Sequence, residues 1–417
     1  MKTSQILVLT GAFLSTTANA TNGYMPHGIG IAGKGMGGIS IAYQADSVAV
    51  GGNPAGSAFM QNRFDAGIDV FKPDRGASIV QNAALQVDMD FDGNDTSAFL
   101  IPEIGYRRGI NDTAAFGLSV FGHGGMNTDY KTGIPLLNGG TAESTGVNLM
   151  QLFVVPSVSY KINQKHSVGI GLNLIAQGFK AEGLNSFDNP MSTASPGNVT
   201  NNGTDWAYGG GIRLGWIGQL SPQWTLGATY QTRSHMGEFD SYSGLFAEQG
   251  GFDIPSNLGV GAAFSPNDKL VLAADLVRIN YSEVNSIANS GQVQAQLGSD
   301  NGPGFGWEDI TVFKLGASYA VNPKLTLRAG FNHGDAPIGN SQTLFNIIAP
   351  ATIEDHVTLG ASWSINPASS ITVSYMHALS NDINGQGSIV QPFGGGEANL
   401  TMKQNAIGVA FNWVLDN

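Results

Sequence analysis

With 417 residues, no cysteine and only 12 % charged side chains, the chain can build a large core but not an ordinary soluble surface. Gly is abundant at 58 residues while Pro stands at 17, which excludes both collagen and a disordered linker. A formal net charge of −12 excludes nucleic acid as a partner, because phosphate contacts need a basic surface.

The chain opens on Lys2, an apolar run from Ile6 to Leu14, and Ala18-Asn19-Ala20. That order is the order of a secretory signal peptide over 1–20, with cleavage expected after Ala20. Thr21 rather than Cys follows the cut, so no lipoprotein anchor is expected. Without Lys2, 18 basic and 31 acidic residues remain, a net of −13. Further on, no apolar run reaches the ~20 residues of a membrane helix. A secreted chain does without disulfides when its backbone bonds close on themselves, as in a barrel.

Residues 21–61 read as a separate N-terminal unit. Gly28-Ile29-Gly30-Ile31-Ala32-Gly33 has the G-x-G-x-x-G spacing, but no strand precedes it and no βαβ unit follows, so a nucleotide site is not indicated. Gly33, Gly35, Gly37 and Gly38 fit a compact segment turning tightly in a narrow space. It closes on Asn53-Pro54-Ala55. Pro54 fixes φ and offers no N–H, and Asn53 can bond stray backbone groups at a broken ladder; an ordinary turn before a strand fits the same residues.

From 62 to 417 the period is two almost everywhere. Between His166 and Leu174, Val168, Ile170, Leu172 and Leu174 share one face, opposite Ser167, Gly169, Gly171 and Asn173. The other face is rich in Gly, Ser and Thr rather than Lys and Glu, which suits a narrow, partly polar lumen. Fourteen segments alternate in this way: 62–72, 98–107, 113–121, 147–160, 165–178, 206–219, 223–232, 251–264, 268–280, 309–320, 324–333, 354–365, 369–379 and 403–414. Short turns and long loops alternate strictly between them, the long ones spanning 73–97, 122–146, 179–205, 233–250, 281–308, 334–353 and 380–402. This is an all-β, 14-stranded antiparallel transmembrane barrel with turns at the periplasm and loops outside. Trp206 and Trp307 fall at the long-loop side, and Trp216, Trp224, Trp363 and Trp413 at the short-turn side, as two headgroup girdles would require.

Chemistry-bearing motifs are few. Asp88, Asp90, Asp92 and Gly93 resemble the start of a calcium loop, but position twelve is Phe99 rather than Glu; a weak divalent site and a solvated acidic loop both fit. The seven histidines show no metal spacing and no G-x-S-x-G is present, so neither an enzyme nor a cofactor is expected. Parity places Arg213, Asp275, Lys314 and Arg328 inward, since a cation facing lipid costs about 2–4 kcal/mol at the midplane. Beside an apolar cavity such a cation could hold a carboxylate; a lumenal ion-pair network involving Asp275 is the alternative.

Gly51-Gly52-Asn53-Pro54-Ala55-Gly56 ahead of the first strand, Thr311 to Gly316, Leu325 to Gly330 and Ile371 to His377 resemble the FadL family of outer-membrane transporters for long-chain fatty acids and other hydrophobic compounds, including toluene-type channels. The resemblance runs from Thr21 to Trp413; the departure is Val414-Leu415-Asp416-Asn417 after the final aromatic residue. It implies a 14-stranded barrel with residues 21–61 as a hatch in the lumen of 62–417, and Asn53, Pro54 and Ala55 where the hatch meets a wall-opening kink in the third strand. It further implies a passive channel in the outer membrane of a Gram-negative bacterium, surrounded by lipid and lipopolysaccharide, and a monomer is expected. Burying a sixteen-carbon chain is worth about 12 kcal/mol, so release demands stepwise transfer between partial sites. Capture is expected at Met126, Leu136, Leu137 and Phe187, with Arg213, Lys314 and Arg328 as inner candidates for a fatty-acid head group. A channel for monoaromatic or alkane hydrocarbons, which would leave the cations dispensable, and a structural barrel or adhesin with a shut lumen are the other readings.

Overall fold

The computed structural model describes residues 22–416, so the expected signal segment 1–20 lies outside the described residues. Fourteen antiparallel strands follow one another around a closed circuit: β1 (Arg63–Val80), β2 (Phe99–Gly109), β3 (Ala114–Tyr130), β4 (Thr145–Lys161), β5 (His166–Glu182), β6 (Asp205–Gln219) and β7 (Trp224–Gln231). The second half is β8 (Asn257–Asn267), β9 (Leu270–Ile279), β10 (Ile310–Asn322), β11 (Leu325–Gly334), β12 (Asp355–Asn366), β13 (Ser369–Ile383) and β14 (Glu397–Val414). β14 pairs with β1 from Arg63↔Val414 to Val80↔Glu397, which closes the wall. Two short ribbons, Met89–Asp92 on β1 and His235–Met236 on β6, lie off this circuit.

The alternation explains the wall. Val168, Ile170, Leu172 and Leu174 are exposed on the outside of β5, while Ser167 and Asn173 are buried inside. Burial is thus inverted relative to a soluble domain, and the exposed apolar band is the surface that hydrocarbon covers.

Several boundaries differ from the sequence expectation. Among them, β8 starts at Asn257 rather than 251 and β14 at Glu397 rather than 403; the two largest shifts are at β1 and β3. β1 runs on through Pro73 to Val80, because β14 pairs with it throughout while β2 stops at Phe71↔Phe99; Pro73 stands just past that point, where a missing N–H is tolerated. β3 likewise continues through Gly122-His123-Gly124-Gly125 to Tyr130, because the glycines form a bulge rather than a loop. Trp307 is a further correction. It is 2 % exposed under the long loops and belongs to their core, whereas Trp206 and Trp363 face outward.

Residues 22–62 contribute no wall strand. They form three short helical turns, Ile31–Lys34, Val48–Gly51 and Pro54–Phe59, set against the inward face. Polar side chains of the wall bind their backbone. Glu103 Oε1 accepts from Ile31 N at 2.6 Å, Asp275 Oδ2 from Ser40 N at 2.9 Å and Thr358 Oγ1 from Gly37 N at 2.7 Å. Lys314 Nζ donates to His27 O at 2.8 Å and Gly38 O at 3.2 Å. Glycine makes this closeness feasible: a Cβ on Gly330 would lie 2.1 Å from Gly37 N.

Candidate functional site

Two cavities lie along the lumen. The outer one, under the long loops, has about 540 Å³ of empty space including its mouth, and its walls are almost wholly apolar. Leu137, Phe179, Phe187, Phe246, Phe305 and Phe345 line it. Phe187 packs on Phe345 and Phe393 at ring separations of 5.4 and 5.5 Å, and Phe179 on Phe246 at 4.6 Å. Such a surface holds hydrocarbon without orienting a polar group.

The inner cavity, with about 610 Å³ of empty space, lies between residues 22–52 and the wall. Met25, Ile29, Ile41, Val277, Ile279 and Val312 supply apolar surface, and Arg213, Lys314 and His123 the polar atoms. Arg213 Nη1 donates to Gly52 O at 3.2 Å and Nη2 to Gln231 Oε1, while its buried Nε has no partner among the described residues. Lys314 meets backbone carbonyls. Neither forms an ion pair among the described residues. Asp275 stands opposite Lys314 in register, but its Oδ2 accepts from Ser40 N and Ile41 N. Arg213, Lys314 and Asp275 thus bond the backbone of 22–62 separately, while buried ion pairs join Lys34 to Asp69 at 3.0 Å and to Glu103 at 3.4 Å.

The wall is interrupted beside this cavity. β2 and β3 pair only from Gly109↔Ala115 up to Glu103↔Phe121. Above Phe121, β3 keeps its bond to β4, with a register shift between Gly122 and Gly124, and turns to other partners on its free side. Gly125 N donates to Tyr24 O at 3.1 Å, and higher up Asp129 N donates to Gly93 O at 3.1 Å. A stretch of wall between Phe99–Pro102 and Gly122–Gly125 thus lacks a strand-to-strand ladder.

The remaining residues singled out from sequence fall as follows. Asn53 caps the turn at Pro54: its Oδ1 accepts from Ala55 N at 3.1 Å, and its Nδ2 donates to Ile41 O at 2.9 Å and Trp216 O at 3.2 Å. Ser167 Oγ donates to Ala55 O at 2.9 Å. The triplet hydrogen-bonds to β5 and β6, and its turn, Pro54–Phe59, also meets β3 and β4; the preceding turn meets β3 as well, where Ser119 Oγ donates to Val48 O at 2.9 Å. Met126 lines a separate small cavity with Trp307, Ala349 and Met402, and Leu136 packs half-buried on the loop core. Arg328 is not in the inner cavity; its Nη1 donates to Ser362 Oγ at 2.7 Å, within the wall. Asp88 and Asp92 accept from Gln81 N and Asn94 N, and no cluster of three or more metal-ligating groups forms among the described residues. Sequence reasoning missed His123, Tyr24 and Asn346, which carry no local motif.

The sequence profile of the family described as "Outer membrane protein transport protein (OMPP1/FadL/TodX)" matches residues 11–415. The toluene transporter TodX of Pseudomonas putida is similar in structure, with a TM-score of 0.72 at 22 % identity over 94 % of this chain and 99 % of that one. A Pseudomonas aeruginosa FadL homologue gives 0.72 at 18 % identity, covering 94 % and 100 %. The Ralstonia pickettii toluene transporter TbuX gives 0.64 at 21 % identity, covering 94 % and 99 %. No curated protein sequence matches the chain significantly.

Proposed function

Because the chain belongs to the outer-membrane protein transport family of FadL and TodX, whose members are channels for hydrophobic compounds, we propose that it imports long-chain fatty acids passively. The observation that carries this reading is that Arg213 and Lys314, two buried cations in no ion pair among the described residues, line one half-apolar cavity, with Asp275 the carboxylate opposite Lys314 in register. An acid's head group would supply the missing charge, and its chain would lie along Ile29, Ile41 and Val312. Cargo is captured in the outer cavity at Leu137 and Phe187, passes to the inner one, and leaves through the unladdered stretch between β2 and β3. Residues 21–61 act as the hatch, and Asn53, Pro54 and Ala55 brace it against β5 and β6. The protein works as a monomer among outer-membrane lipid and lipopolysaccharide, without metal or cofactor.

Uptake of labelled oleate by cells lacking the protein, with and without the chain restored, tests this. Restored uptake that falls about ten-fold in Arg213→Gln supports the carboxylate site, since one charge-assisted bond is worth about 1.5–3 kcal/mol. Oleate uptake indifferent to both Arg213→Gln and Lys314→Gln would count against it.

One observation favours a second reading. Phe179, Phe187, Phe246, Phe305 and Phe345 face the outer cavity, a lining suited to flat rings, and TodX and TbuX are toluene transporters. Toluene uptake that survives both cation substitutions, with no oleate uptake, would establish the hydrocarbon channel. Loss of neither uptake on deleting the gene would leave a structural barrel or adhesin.

A further inference from the structure

The outward face of the barrel carries a recess that belongs to neither cavity, and its residues form a regular array. Gly125, Met150, Gly178 and Trp206 stand side by side across β3 to β6. Asn127, Asn148 and Lys180 make the next outward row toward the loops, and Asp129, Gly146 and Glu182 the row after that. Their neighbours point the other way: Thr128 Oγ1 and Tyr130 Oη donate to Ile348 O and Ile347 O under the loops. The centre of the upper row is a glycine, so no side chain stands between Asp129 and Glu182. Thr96, from the segment before β2, closes one side. Its Oγ1 donates to Asp129 Oδ2 at 2.7 Å, and its carbonyl accepts from Arg75 Nη2 at 2.6 Å. The recess so enclosed has about 500 Å³ of empty space including its mouth, and its walls are largely polar.

Height and chemistry together limit what fills it. Trp206 is 51 % exposed, and an outward indole settles at the head-group level. Two residues along a strand rise ~7 Å, less when the strand tilts, and the polar layer of a bilayer is ~5–7 Å deep on each side. The row of Asn127, Asn148 and Lys180 therefore lies among head groups, neither in hydrocarbon nor in open water. A bare phosphate does not suit it: Lys180 Nζ is already paired with Glu182 Oε1 at 2.6 Å, and Asp129 adds a second carboxylate. Asn148 Nδ2, Asp129 Oδ1 and Glu182 Oε2 have no protein partner among the described residues. They offer one donor beside two acceptors, on strands whose facing side chains stand ~5 Å apart. Neighbouring hydroxyls of a sugar ring both donate and accept, so such a set matches them, and bonds to a carboxylate are the stronger kind.

We infer that this recess docks a sugar ring of the outer leaflet's glycolipid, seated over Gly146 with Asn148, Asp129 and Glu182 on its hydroxyls. The inference stands apart from the choice of cargo and needs only the barrel's place in the membrane. Its position has a consequence. Above the unladdered stretch the chain from Gly93 to Thr96 takes the place of β2 beside β3, with Asp129 N donating to Gly93 O at 3.1 Å and Asp95 N to Asp129 O at 3.2 Å. A sugar lodged against Thr96 fastens that segment to the wall at the upper edge of the gap.

Hydrogen exchange of the intact chain in phosphatidylethanolamine nanodiscs, with and without rough lipopolysaccharide, tests it. In the wild type the glycolipid is expected to slow exchange of the Asp95 amide about five-fold, with one molecule retained per chain in native mass spectrometry. Asn148→Ala combined with Glu182→Ala is expected to cut that slowing to less than two-fold. Asn148→Asp keeps the size of the side chain and replaces the donor by an acceptor; it is expected to lose most of the slowing even where the double variant folds poorly. No slowing in the wild type, or equal slowing in Asn148→Asp, overturns the site. Equal slowing by phosphatidylglycerol overturns it as well, because charge rather than sugar would then be the ligand. None of these outcomes touches the transport reading, which oleate and toluene uptake decide.

Discussion

The loop core and the hatch contact are held by opposite means. Under the loops, Phe179, Phe187, Phe246, Phe252 and Trp307 pack ring on ring in one apolar cluster that reaches into the wall. Around residues 22–62 the contact is polar and close: Glu103, Asp275, Thr358, Lys314 and Asn53 bond backbone atoms, with glycines where the chains touch. Dispersion and burial tolerate exchange of one apolar group for another, whereas a hydrogen bond to a buried carbonyl has no substitute. The outer region can therefore vary its lining and still collapse, while the hatch contact is specific atom by atom.

The sharpest way to break the comparison is to add one methyl-bearing side chain on each side. Gly330→Val puts Cβ within 2.1 Å of Gly37 N and is expected to cost ~3 kcal/mol or more, expelling the hatch or blocking assembly; the heat-modifiable band would vanish. Gly339→Val in a long loop, where nothing lies within 4 Å, is expected to leave the band unchanged. Next in size is Asn53→Ala. It strips the bonds to Ile41 O, Trp216 O and Ala55 N, with a cost of ~2–3 kcal/mol read as faster hydrogen exchange across 22–62. Phe187→Ala should weaken oleate capture by about ten-fold, and exchange in 22–62 should not move, since its rings touch only loop residues.

The smallest effect is one of pH. Burial, with Asp65 and Glu103 adding their charges and Arg63 partly offsetting them, pushes the Asp46 carboxyl up to about 7. The folded state thus favours the protonated form, a contribution fully present below the ordinary value of 3.8 and lost as pH rises through about 7. Protection of the Ala32 and Ala49 amides, which donate to Asp46, should fall relative to their intrinsic exchange between pH 6 and 8, and Asp46→Asn should flatten that fall.

The wall was legible because its physics is local. A period of two, with Gly and Ser inside and Leu and Val outside, specifies each strand from its own residues, and turn length then orders them. Legibility failed where the deciding contact is distant. Gly122-His123-Gly124-Gly125 reads as loop because only the bonds to β4 and Tyr24 make it a bulge. Trp307 reads as a girdle residue until Tyr24 and Tyr281 stand around it. Arg213, Lys314 and Arg328 share the same inward parity; their heights in the barrel separate them, since 22–52 meet the first two and the wall keeps Arg328 for Ser362. Capture residues fared in the same way. Leu137 and Phe187 line the outer cavity, while Met126, also apolar and near the loops, stands behind Trp307.

The seam between β1 and β14 joins the two ends of the barrel sequence, and residues 22–62 lie inside the ring it closes. The amide of Gly37 finds Thr358 Oγ1 across 321 positions of chain. Residues 22–62 can meet Asp65, Glu103 and Ser119 on neighbouring strands early, but their bonds to Lys314 and Thr358 close only over long stretches of chain, and loop closure over such separations is slow. The β1–β14 seam therefore closes the wall around a segment of the same chain that is held from both ends of the circuit.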